Sequence, residues 1–150
     1  MVSHSESRIL PYSADHMYAI VADVEKYPEF LPWCVGVRVT SRERVEDCDA
    51  LRADMLVGFG AFRERYTSRV ALDAAAHTID VTQTEGPFRQ LETHWRFTPE
   101  GEGCRVDFSI AFEFKNRLLG AVAGNAFAHV LMKMTDAFEA RARALSKNFE

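Results

Sequence analysis

The stretch Tyr27-Pro28-Glu29-Phe30-Leu31-Pro32-Trp33-Cys34, YPEFLPWC, sits where the periodicity of the chain changes. On its N-terminal side Met17, Ile20, Val21 and Val24 recur at helical spacing, which makes one buried helix face. Ser13 is placed to cap that helix, and Asp15 lies in its first turn, where a carboxylate complements the helix dipole. Pro28 and Pro32 forbid a simple continuation, because proline lacks an N–H and restricts the residue before it; a short second helix is expected around Glu25 to Phe30. On the C-terminal side the period becomes two. Val35, Val37 and Val39 alternate with Gly36, Arg38 and Thr40, and Leu51, Ala53, Met55 and Val57 alternate with Arg52, Asp54 and Leu56. YPEFLPWC is either a stiff corner whose aromatics complete a core or the lip of a binding site.

Outward from this junction, Ser3 to Leu10 reads as a first strand ended by Pro11-Tyr12-Ser13. Further strands are expected at Phe62 to Leu72, Thr78 to Gln83, Phe88 to Phe97 and Cys104 to Phe114, with turn signals at Asp73 to His77, Gly86-Pro87 and Pro99 to Gly103. Such short connections imply an antiparallel meander. Asn116 can cap a long helix to about Ala144, with Leu119, Val122, Ala123, Ala126, Phe127, Val130, Met134 and Phe138 along one face. A sheet with one apolar face must cover it, and this helix is the one large covering element. The expected class is α+β: a curved antiparallel sheet of about seven strands gripping a long C-terminal helix, with a wedge between them for side chains or a ligand.

A chain of 150 residues with 47% hydrophobic and 27% charged residues fits one folded domain, 1–150. Cys34, Cys48 and Cys104 are odd in number and lack a C-x-x-C, so neither a disulfide framework nor a zinc site is signalled. Nothing at the N-terminus resembles a signal or transit peptide, and a cytoplasmic protein is expected. The most apolar run, Leu118 to Leu131, is interrupted by Gly120, Gly124, Asn125 and His129 and does not read as a bilayer span. A net charge of −4 gives no global attraction to DNA or other polyanions, so any such contact must be local.

The chemistry-bearing residues form no catalytic grouping. His4, His16, His77, His94 and His129 have no metal-ligand spacing, and His129 reads as a boundary residue or a hydrogen-bond donor to a cavity. Gly58-Phe59-Gly60 reads as a hairpin turn, not a nucleotide loop. Arg63, Arg65 and Arg69 share one strand face opposite Glu64, Tyr66 and Ser68; they form a solvated face or a phosphate patch for lipid or RNA. Gly120 and Gly124 each cost a helix about 1 kcal/mol relative to alanine, offset either by close packing on the sheet or by room for a ligand.

The segments VADVEKYPEFLPWC (21–34), FRERYTSRV (62–70), GPFRQLETHWRF (86–97) and FEFKNRLLG (112–120), in this element order, resemble the START-like helix-grip proteins. Within them the chain is similar to the branch of coenzyme Q-binding proteins and ribosome-association toxins. That resemblance implies an apolar tunnel receiving a quinone or other polyprenyl lipid, no further cofactor, and transient contact with the inner face of a membrane. It implies a carrier supporting respiration and quinone biosynthesis; the alternatives are a toxin that binds the large ribosomal subunit and a polyketide cyclase or dehydratase using His94 or Tyr66. Matched to the family, Tyr27, Phe30, Leu31, Pro32 and Trp33 fall at the tunnel mouth, and Phe88, Leu91, Trp95 and Leu119 at apolar positions. Tyr66, Phe112, Val122 and Phe127 complete the expected ligand contacts, and no metal ligands or catalytic residues are expected.

Overall fold

The structure, a computed structural model, describes residues 2–59 and 62–147 and, within them, all side chains but those of residues 59, 62, 119, 122, 123 and 147. Strand β1 (Val2–Leu10) leads into helix α1 (Ala14–Ala22) and a 3-10 helix (Val24–Glu29). The meander follows: β2 (Cys34–Val45), β3 (Cys48–Phe59), β4 (Phe62–Asp73), β5 (Thr78–Glu85), β6 (Phe88–Glu100) and β7 (Gly103–Phe114). Helices α2 (Arg117–Met132) and α3 (Met134–Lys147) close the chain. All described pairings are antiparallel in the order β1-β7-β6-β5-β4-β3-β2, so β1 closes the sheet beside the last strand, not the second.

Alternation along the strands sends one set of side chains inward. Leu91, Thr93, Trp95 and Phe97 on β6 and Cys104, Val106, Phe108, Ile110 and Phe112 on β7 are buried, and their neighbours face solvent. Phe88 has the wrong parity for this face, yet it is buried. The register shifts between Phe88 and Gln90, and the bulge at Arg89 turns Phe88 inward. The Gln83 side chain secures this end of the β5–β6 hairpin, donating to the Phe88 carbonyl at 2.6 Å and accepting from the Phe88 N–H at 3.2 Å. Gly103 permits β7 to start against β1, since a Cβ there would collide with the Leu10 carbonyl. The turn expected at Gly58-Phe59-Gly60 runs into residues 60–61 and lies outside the described residues.

Ser13 caps α1 as its position suggests, accepting from the His16 N–H at 3.1 Å. The short helix around Pro28 is a 3-10 helix, a geometry that tolerates the missing donor. Asn116 caps α2 by accepting from the Leu118 N–H at 2.8 Å. The single C-terminal helix is a correction: it is interrupted at Lys133, whose N–H reaches back only to Val130, at 3.2 Å. Helical spacing runs through this point without proline or glycine, so the local pattern carries no sign of the break. α3 is firmly attached. Arg8 of β1 binds Asp136 at 2.9 Å and Glu139 at 3.2 Å, and Phe138 and Ala142 are buried.

Candidate functional site

Between the 3-10 helix, the inner face of the sheet and α3 lies an internal cavity of about 60 Å³. Its walls come from three sources. The 3-10 helix and the turn after it supply Tyr27, Leu31 and Trp33; β3 to β6 supply Ala53, Met55, Tyr66, Ser68, Thr93 and Trp95 among others; α3 supplies Met134 and Phe138. The turn is held in place by backbone bonds. Leu31 N–H donates to Tyr27 at 2.9 Å, Cys34 N–H to Leu31 at 3.0 Å, and Gly58 N–H of β3 to Trp33 at 2.9 Å. From the other side Arg141 binds Glu29 at 3.0 Å and lies 5.0 Å from the centre of the Phe30 ring. This arginine holds the Glu29 carboxyl below its ordinary range.

The cavity is apolar with a few neutral hydroxyls. Tyr27 donates to the Val21 carbonyl, and Tyr66 donates to the Met55 thioether sulfur at 3.1 Å. Burial pushes both phenols well above their ordinary pKa, so both stay protonated at neutral pH. Ser68 and Thr93 are buried on the same wall, and neither hydroxyl has a hydrogen-bond partner among the described residues. Among the described residues no lining residue carries a charge at neutral pH. The chamber offers neutral hydroxyls to an uncharged acceptor.

Of the residues singled out from the sequence, Tyr27, Leu31, Trp33, Tyr66 and Trp95 line this cavity. Phe30 packs edge-on against Tyr27 and Phe138 behind the lip, and Pro32 is exposed in the turn. Phe88, Phe112 and Phe127 form a neighbouring aromatic cluster, with ring centres 4.8 Å apart for Phe112–Phe127 and 5.2 Å for Phe88–Phe127. Leu91 is buried but not on the cavity wall, and the side chains of Leu119 and Val122 lie outside those described. His94 points outward and pairs with Asp80 at 2.6 Å, and His129 is exposed, so neither serves the cavity. Neither Ser68 nor Thr93 carries a sequence signal of its own that marks it as a cavity residue. Each shares the parity of a flagged neighbour, Tyr66 or Trp95, and that parity was the available signal.

Gly124 faces open space, and a Cβ on Gly120 would meet Phe114 at an ordinary 3.7 Å, so close packing explains neither glycine. Both line a separate surface groove with Phe112, Phe114, Asn125 and Ala128.

A sheet curved around C-terminal helices with a chamber between them defines a START-like, helix-grip protein. Residues 10–139 match the family described as polyketide cyclase/dehydrase and lipid transport, and the chain belongs to it. A ribosome association toxin RatA of Rickettsia prowazekii is 32% identical over 150 residues, covering 98% of this chain and 100% of that protein. The mitochondrial coenzyme Q-binding protein COQ10 homolog B of Xenopus laevis is 38% identical over 148 residues, covering 94% of this chain but 58% of its own length. A START superfamily protein from Mycobacterium smegmatis superposes with a TM-score of 0.78 at 20% identity, covering 95% of this chain and 98% of its own.

Proposed function

We propose that this protein binds a polyprenyl quinone in the cavity and carries or chaperones it in support of respiration and quinone biosynthesis, from the cytoplasm and at the inner face of the membrane. The observation that carries the reading is the cavity lining: apolar walls with unpaired, uncharged hydroxyls at Ser68 and Thr93. A quinone ring presents carbonyl and methoxy acceptors without charge, which such hydroxyls satisfy and an ionised wall would not. The similarity to a coenzyme Q-binding protein supports the same ligand class.

Burying about 300 Å² of isoprenoid tail gains roughly 7 kcal/mol against water, at about 25 cal/mol per Å². Against a bilayer that term nearly vanishes, so the ring contacts govern extraction and release stays reversible. At about 60 Å³ the cavity is smaller than ligand pockets of roughly 300–1,000 Å³, and uptake requires the lip or the C-terminal helices to move. Organic extraction of protein purified from its own host, followed by mass spectrometry, tests the reading. Quinone in near-stoichiometric amount is expected; its absence, together with no thermal shift on adding a short-tailed quinone, overturns the carrier.

A second reading, ribosome association, has its own support on the outer face of the sheet. Arg52 of β3 sits directly opposite Arg69 of β4, an arrangement of like charges that a polyanion would relieve, and Arg65 lies nearby on the same face. Arg69 reaches Glu43 only at 4.0 Å, and Arg52 and Arg65 have no ion-pair partner among the described residues. The similarity to a ribosome association toxin supports this reading. Cosedimentation with large subunits at low salt, lost in Arg52→Glu/Arg69→Glu protein, is the outcome it requires.

A further inference from the structure

Helix α2 differs in composition from the rest of the chain. From residue 114 to 135 there is no acidic residue, while Lys115, Arg117 and Lys133 are basic. Of the 18 basic and 22 acidic residues in the chain, these three basic ones fall here, which leaves the remainder at −7. Leu118, Ala121, Asn125, His129 and Met132 recur three or four residues apart and are exposed, forming one stripe of the helix. Leu118 is 72% exposed and Met132 59% exposed, one near each end of the helix. From Leu118 to Met132 the stripe extends about 21 Å, at about 1.5 Å per residue.

The attachment of α2 to the body is apolar. Phe127 and Leu131 are buried, whereas no ion pair joins α2 to the sheet among the described residues. The helix ends at the break beside Lys133, and a surface groove lined by Phe112, Glu113, Phe114, Gly120 and Gly124 runs along it. Exposed apolar side chains bracketed by cations, with Glu113 of β7 the one carboxylate among the described residues lining the adjacent groove, match the boundary between anionic headgroups and acyl chains. A protein surface would meet the same stripe with carboxylates for the cations, but nothing here selects a register of such charges.

We infer that the exposed stripe of α2 is the surface by which this protein docks on an anionic phospholipid bilayer, Leu118 and Met132 entering the interface and Lys115, Arg117 and Lys133 meeting lipid phosphates. The inference rests on the lipid-carrier reading and names the membrane-facing element of that carrier.

The test is flotation of the full chain with quinone-free vesicles of phosphatidylcholine, alone or mixed with phosphatidylglycerol. Binding to the anionic vesicles and not to the neutral ones is expected. Lys115→Gln and Lys133→Gln should each lower it by roughly fivefold, the equivalent of about 1 kcal/mol per surface cation. Leu118→Asp/Met132→Asp protein should lose binding while its melting temperature is unchanged, since both side chains are already in solvent. Equal flotation of wild type and the double variant overturns the proposal, as does failure of the wild type to float. A wild-type dimer that the double variant converts to monomer, with no vesicle binding, assigns the stripe to a second copy and overturns it too. Because the vesicles contain no quinone, failure here leaves the quinone reading standing, and quinone recovered from a protein that ignores vesicles refutes only the docking.

Discussion

Ser68 is 4% exposed, and its hydroxyl faces an apolar cavity without a partner among the described residues. Thr93, on the same wall, is 8% exposed and in the same condition. Both hydroxyls border the cavity and hold no part of the fold together, so Ser68→Ala or Thr93→Val should leave the melting temperature nearly unchanged. Each should weaken quinone binding by about tenfold, the worth of one hydrogen bond near 1.4 kcal/mol. Titration with a short-tailed quinone reads both effects, and unchanged affinity in both variants would remove these hydroxyls from recognition. Cys34, at the end of YPEFLPWC, is buried, and burial pushes its thiol from 9.0 up to about 11. The unfolded thiol releases its proton first, so stability is full below pH 9 and falls as pH rises towards 11. In urea titrations across that window Cys34→Ala should flatten the fall only in part, because burial also raises Cys104. A slope identical to wild type contradicts this account. The hydroxyls were not legible as cavity groups in the sequence, because parity alone does not say where a cavity is.

At the level of elements, Gly124 sits within α2 with open space where a Cβ would be. Gly124→Ala should therefore raise stability by about 0.5–1 kcal/mol, seen as a higher melting temperature. A loss of stability would mean that α2 needs the space at Gly124 that a Cβ would occupy. The elements themselves were largely readable: Ser13 and Asn116 cap where expected, and the strands follow period-two patterns. Two features escaped. The bulge at Arg89 turns Phe88 inward against its parity, and the helix breaks at Lys133 without a breaker residue. Both are imposed from a distance, by the neighbouring strand on Phe88 and by the surfaces against which α2 and α3 must separately pack. A local pattern cannot encode such demands.

For the molecule as a whole, the cavity is what remains after the aromatic side chains have packed. Phe88, Phe112, Phe114 and Phe127 fill the space under α2, while Tyr27, Trp33, Tyr66 and Trp95 stop short of filling the space under α3. Ala53→Ile places extra methyl groups into that space from β3. The free protein should stay folded and lose no more than the roughly 1–3 kcal/mol of stability that overpacking costs, while bound quinone falls to nothing. Undiminished quinone in a folded Ala53→Ile protein would place the ligand elsewhere, with the groove beneath α2 the next candidate. The sequence by itself determined the element order, the α+β class and the role of YPEFLPWC as the junction between helical and extended chain, because spacing, caps and prolines act over a few residues. The turn proves to be corner and lip at once: Leu31 is 1% exposed in the core, and Tyr27 and Trp33 border the cavity. Only the tertiary structure decided which half of the wedge is filled and which hydroxyls are left unpaired. Those outcomes depend on how side chains far apart in sequence divide one enclosed volume.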